Sequence, residues 1–244
     1  MSRRPIDVTE AQARQAAFFL VGSIIATVLL YYVIPYGRNI GHPLILLSTL
    51  AHEMGHGIAA VLVGRDFVQF EMFWNGSGVA THAGDPDADL ALAFVSAGGL
   101  VGPAIVAAVG FAVGRTTKGA RNALFFFGGG LILADLIVVR NLFGFVFVAV
   151  VAAICLLIAA KGKAWASQLT LLFIASQLAL SVFSRSDYLF TEEVNGIAGM
   201  RSDVAKMADH LFLPYWFWGA VCGLFSVLVL LVGLRAFFGP EKQQ

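Results

Sequence analysis

Seven apolar stretches, at approximately 16–35, 43–64, 90–114, 122–139, 142–160, 164–183 and 212–234, each approach the roughly 20 residues that a helix needs to cross a bilayer. That pattern leaves few folds open, because in hydrocarbon only helices and closed barrels satisfy their own backbone polar groups. Of 244 residues, 59% are hydrophobic and only 13% charged, against about 25% charged in a soluble domain. The expected fold is therefore an all-α polytopic membrane protein of six to seven transmembrane helices. The fourth stretch is short and only Arg140-Asn141 parts it from the fifth, which leaves the count open. The whole chain, 1–244, reads as one membrane-embedded domain with a polar tail over 1–15. The first apolar run is too long for a signal-peptide core, so an uncleaved first span is expected. A formal net charge of +1 gives no footprint for nucleic acid. Cys155 and Cys222 fall inside apolar runs and read as packing residues.

Two connections are longer than the rest. In the first, 65–89, Val68, Phe70, Met72 and Trp74 alternate with Gln69, Glu71 and Phe73, and Asn75-Gly76 follows. Period-two alternation ending in Asn-Gly predicts a β-hairpin, expected here at the membrane surface directly after the second span. The second connection, 184–211, is rich in charge. Within it Ser202 is placed to cap a short helix carrying Val204, Met207, Ala208 and Leu211 on one face. With seven spans, both long connections lie on the side of the N-terminus. Lys and Arg divide evenly between the two sides, so charge does not fix the orientation. A cytoplasmic N-terminus is the working expectation.

The second span contains His52-Glu53-Met54-Gly55-His56. Ionisable side chains at bilayer depth cost roughly 2.5–3.5 kcal/mol each on insertion scales, so they mark function. On a helix, residues four apart share a face, so His52 and His56 can hold one Zn2+ ion. Glu53 is rotated by about 100° and reaches a metal-bound water rather than the metal. This is the HExxH arrangement of zinc peptidases, with Glu53 as general base in peptide hydrolysis. Gly55 and Gly57 flank the second histidine and are expected to leave room for a substrate backbone. A catalytic zinc takes three protein ligands and an open position. The motif does not supply the third; Glu71, His82, Asp135, Asp187, Asp203 and His210 are the candidates. Glu71 and His82 lie on the predicted hairpin. Asp187 and Asp203 lie in the polar connection on the side where the motif helix emerges, and composition leaves these two level.

The motif and its surroundings resemble the site-2 protease family of intramembrane zinc metallopeptidases, in its small bacterial B-type branch. The matching blocks are HEMGHGIAAVLVGR at 52–65, NGSGVA at 75–80, SAGGLVGP at 96–103, VVRNLFG at 138–144 and SDVAKMADHLFLPYWFWG at 202–219. The resemblance implies metal ligation by His52 and His56, catalysis by Glu53, and a third ligand at Asp203, with Asp187 as runner-up. It also implies that Asn141 binds the substrate carbonyl. The implied substrate is a membrane protein cleaved in or beside its transmembrane segment, and the implied setting is the bilayer of a bacterial cytoplasmic membrane. One departure stands out: the Leu-Asp-Gly turn of better-known members is absent. The competing reading is a catalytically silent metal-binding membrane protein, either a substrate-binding relative or a transporter. A transporter would more naturally show repeat-related broken helices, and the sequence has no convincing internal repeat.

Overall fold

The computed structural model describes residues 6–184, 189–194 and 200–239. In chain order the elements are α1 (Ile6–Tyr32), α2 (Gly37–Ile40), α3 (His42–Leu62), β1 (Asp66–Met72), β2 (Gly78–Ala83), α4 (Asp89–Gly114), α5 (Thr117–Ile137), α6 (Leu142–Lys161), α7 (Ala164–Ser184), α8 (Asp203–His210) and α9 (Tyr215–Phe238). Seven helices of the described residues are long and apolar enough to span a membrane: α1 from Arg14, α3, α4, α5, α6, α7 and α9. The fold is all-α and polytopic, with one small hairpin.

The open count resolves at seven because of what lies between α5 and α6. Helix α5 starts earlier than its hydropathy suggests, at Thr117, where the Thr116 hydroxyl accepts from the Gly119 N–H at 3.0 Å. It stops at Ile137 because Val138 and Val139 leave the helix to pair with β1. The Phe70 N–H donates to Val138 O at 2.7 Å, and the Arg140 N–H donates to Phe70 O at 3.0 Å.

Helix α4 is the hub, packed against α3, α7, α8 and α9, while α1 flanks α7 and α5 pairs with α6. Small residues make the α3–α4 crossing close. A Cβ on Gly55 would lie 2.3 Å from Gly98 O, and one on Gly98 would lie 2.4 Å from the Ala59 Cβ. Gly57 has its own occupant, since a Cβ there would meet the Phe67 ring at 2.1 Å. The space expected for a substrate backbone beside Gly55 and Gly57 is thus filled by α4 and β1.

The hairpin forms where the alternation places it, with β1 and β2 antiparallel and a register shift between Phe67 and Gln69. That shift puts Val68 outward and Phe70 and Met72 into the core. The hairpin's position differs from the expectation. Rather than lying across the membrane surface at the end of α3, it runs back along that helix. Its turn reaches the first half of α3, where the Thr49 hydroxyl donates to Gly76 O at 2.7 Å and a Cβ on Gly76 would lie 3.3 Å from Ile45 Cγ2. Strand backbone survives beside apolar helices only if its polar groups are paired. Here β2 takes one edge of β1, and residues 138–141 take the other. The Asn141 amide completes that second pairing: Met72 N donates to Asn141 Oδ1 at 3.1 Å, and Asn141 Nδ2 donates to Met72 O at 2.6 Å. Gly144 leaves the room, since a Cβ there would lie 2.5 Å from Asn141 Oδ1.

Candidate metal centre

His52 and His56 project from α3 towards α4, where two main-chain carbonyls receive them. His52 Nδ1 lies 2.8 Å from Gly99 O, and His56 Nδ1 lies 2.8 Å from Val95 O. A carbonyl oxygen only accepts, so each Nδ1 carries a proton and donates it. Each Nε2 is thereby turned inward with its lone pair, the orientation a ligating histidine needs. The two Nε2 atoms stand 3.3 Å apart.

The third member comes from about 150 residues later in the chain. Helix α8 begins at Asp203, and the Ser202 hydroxyl caps it by accepting from Ala205 N at 3.2 Å while donating to Thr191 O at 2.6 Å. Val204 and Met207 on its inner face pack with Ala93 and Leu100 of α4 and Cys222 of α9. Seated this way, the helix sends Asp203 Oδ2 to within 3.2 Å of His52 Nε2 and 3.3 Å of His56 Nε2. The other oxygen, Oδ1, accepts from Lys206 Nζ at 3.3 Å.

Two imidazole nitrogens and a carboxylate oxygen that converge on one point are held together by a shared cation, either a proton or a metal ion. Their spacing fits a metal. Tetrahedral zinc with bonds of 2.0–2.1 Å sets its ligand atoms about 3.3 Å apart, and the three edges of this triangle are 3.2, 3.3 and 3.3 Å. Two imidazole nitrogens and one carboxylate oxygen are a common zinc donor set, and three ligands leave a fourth position for chemistry. That side opens on a cavity of about 750 Å³ lined by Glu53, Gly78, Ala80, His82 and Lys206, among others.

Glu53 sits beside the cluster and is buried. The Ala80 N–H of β2 donates to its Oε2 at 2.9 Å, which ties the carboxylate to the strand. The strand comes this near because residue 78 is glycine: a Cβ there would lie 2.7 Å from Glu53 Cγ.

Among the described residues, no other candidate joins this cluster. Asp187 falls outside the described residues. Glu71 pairs with Val79 within the hairpin. Asp135 is buried in α5, its Oδ1 without a hydrogen-bond partner among the described residues. His210 Nδ1 lies 2.8 Å from Asp89 Oδ1. His82 lines the cavity, and Asn141 is joined to Met72. Sequence reading missed the carbonyls of Val95 and Gly99, because main-chain acceptors carry no side-chain signature. The one available signal was the SAGGLVGP block, which contains Gly99 and carries part of the family resemblance. Gly99 also makes space, since a Cβ on it would lie 2.2 Å from His56 Nε2. Gly99→Ala is accordingly expected to displace the ring and to lower bound zinc and cleavage together, measured by metal content and reporter turnover. Wild-type zinc content in that variant would contradict the packing described.

Comparison with known proteins agrees with this geometry. The chain matches the model of the Peptidase M50B-like family over residues 22–233, a range that includes His52, Glu53, His56 and Asp203. No curated protein and no solved structure matches it. With a match over most of its length, the chain belongs to the Peptidase M50B-like family, a site-2 protease family of intramembrane metallopeptidases.

Proposed function

We propose that the chain is an intramembrane zinc endopeptidase that hydrolyses membrane-associated proteins, with His52, His56 and Asp203 as ligands and Glu53 as general base. The observation that carries this reading is the triangle of Nε2, Nε2 and Oδ2 atoms at 3.2–3.3 Å with Glu53 adjacent and a cavity in front. When bound, zinc supplies Lewis-acid polarisation of a carbonyl and makes water acidic enough to give up a proton near neutral pH.

The chain's own residues do the rest. Glu53 accepts that proton on its carboxylate and returns it to the leaving amine nitrogen, while Ala80 N–H keeps Oε2 fixed. The Val95 and Gly99 carbonyls hold the imidazoles in register, and Lys206 holds the far oxygen of Asp203.

The outer edge of β2 is the platform for substrate. Phe70 and Met72 turn their backbone groups away from β2 towards residues 138–141. Their partners Ala80 and Gly78 therefore turn theirs away from β1, towards Glu53 and the cavity. A transmembrane substrate hides its carbonyls in helical hydrogen bonds, and a locally unwound segment can regain partners by adding to this edge. The setting proposed with this function is a bacterial cytoplasmic membrane, with the N-terminus and both long connections on the cytoplasmic side.

A silent metal-binding protein would have no use for a buried carboxylate fixed by a strand beside the metal. The test is cleavage of a membrane-tethered reporter by the purified full-length chain. Turnover should stop when a chelator strips the metal and return on adding zinc; turnover indifferent to metal removal would refute the reading.

A further inference from the structure

His82 is the cavity-lining histidine that the proposed chemistry leaves unused. It lies on β2, two residues beyond Ala80 on the same face, and that face carries Gly78 and Ala80 against Glu53. Behind it stands Arg65, only 9% exposed. Arg65 Nη1 donates to Asp85 O at 2.6 Å, and its Nε donates to His82 Nδ1 at 3.3 Å. A glycine at 84 allows the guanidinium to lie flat there, since a Cβ on it would be 3.1 Å from Arg65 Nη1.

The consequence for the imidazole is specific. A guanidinium N–H donates and never accepts, so Nδ1 of His82 must be the accepting nitrogen. The ring is then neutral, and its single proton sits on Nε2. Burial, and after it the charge of Arg65, push the His82 pKa below the ordinary histidine value, in keeping with a neutral ring. Peptide hydrolysis builds negative charge on the scissile carbonyl oxygen, and a preorganised donor aimed at it in a water-poor cleft is a strong source of catalysis. Asn141, the donor expected from sequence, is joined to Met72 through both amide atoms and does not line the cavity.

We propose that His82 is a catalytic residue: its neutral imidazole, locked by Arg65 with the proton on Nε2, donates a hydrogen bond to the scissile carbonyl oxygen as charge develops there. The proton stays on His82 throughout. This rests on the peptidase reading above. Its ligand class is the tetrahedral, anionic form of a peptide carbonyl.

The test uses the full-length chain with His82→Phe and His82→Gln, and a membrane-tethered reporter that the wild type cleaves. His82→Phe should keep wild-type zinc content and KM while kcat falls by about 10²–10³-fold, the usual cost of losing one such donor. Affinity for a phosphinic peptide, which mimics the tetrahedral anion, should weaken in step. His82→Gln, which restores an N–H, should recover part of both. Histidine ¹⁵N spectra of the wild type should show His82 as the Nε2–H tautomer. A kcat for His82→Phe within threefold of wild type, a fall accompanied by zinc loss, or an Nδ1–H tautomer would each overturn the proposal. Glu53→Gln separates the two levels. If it cleaves normally the peptidase reading fails; if it is inactive while His82→Phe is fully active, only the His82 assignment fails.

Discussion

Glu53→Gln should abolish cleavage of a membrane-tethered reporter while leaving zinc bound. The substitution is nearly isosteric, and the glutamine oxygen can still accept from the Ala80 N–H that now binds Oε2 at 2.9 Å. The hairpin therefore stays seated on α3, and the two imidazoles keep their carbonyl partners. What disappears is a group able to take a proton and give it back. General acid–base catalysis contributes typically about 10²–10⁴-fold, and a loss of at least that size is expected in kcat at unchanged metal content. Because Glu53 touches neither imidazole proton, a loss of zinc would show that it acts in the ligand set instead. Cleavage equal to wild type would remove it from the mechanism.

Asp203→Ala is expected to empty the metal site. With α8 capped by Ser202 and packed through Val204 and Met207, the helix keeps its place without the carboxylate, but two histidines alone make a poor catalytic site. Loss of an outer partner of a metal ligand typically costs about 10–100-fold in affinity, and loss of the ligand itself should exceed that. In excess zinc, thermal unfolding of wild type should lie well above that of Asp203→Ala, because only the wild type gains the stabilisation that bound metal confers. Asp187→Ala is expected to retain zinc, and retention in Asp203→Ala with loss in Asp187→Ala would reverse the assignment.

How much of this was legible in the sequence depends on what each feature needs. The spans follow from hydropathy alone, and the helical pitch places His52 and His56 on one face. The hairpin follows from alternation and Asn75-Gly76. Its location did not follow, because whether a strand pair can lie beside apolar helices depends on who pairs its edges. That role falls to Val138, Arg140 and Asn141, from a connection some 70 residues away in the chain. The same applies to Asn141, whose residue type suits a substrate carbonyl equally well but whose neighbour is Met72. Asp203 and Asp187 were level by composition; the family resemblance set Asp203 first, and its Oδ2 lies 3.2–3.3 Å from the two Nε2 atoms. Gly55, Gly57 and Gly99 were visible as small residues, but only the packed neighbours show that they admit α4, the Phe67 ring and the His56 ring.

The central claim is that one zinc ion sits among His52, His56 and Asp203. Zinc K-edge X-ray absorption on the purified full-length chain addresses it directly. The account predicts one zinc per chain with nitrogen and oxygen neighbours at about 2.0–2.1 Å and no sulfur, and loss of that signal in Asp203→Ala. A chain that cleaves its reporter with no bound zinc, or a zinc shell containing sulfur at about 2.3 Å, would contradict it.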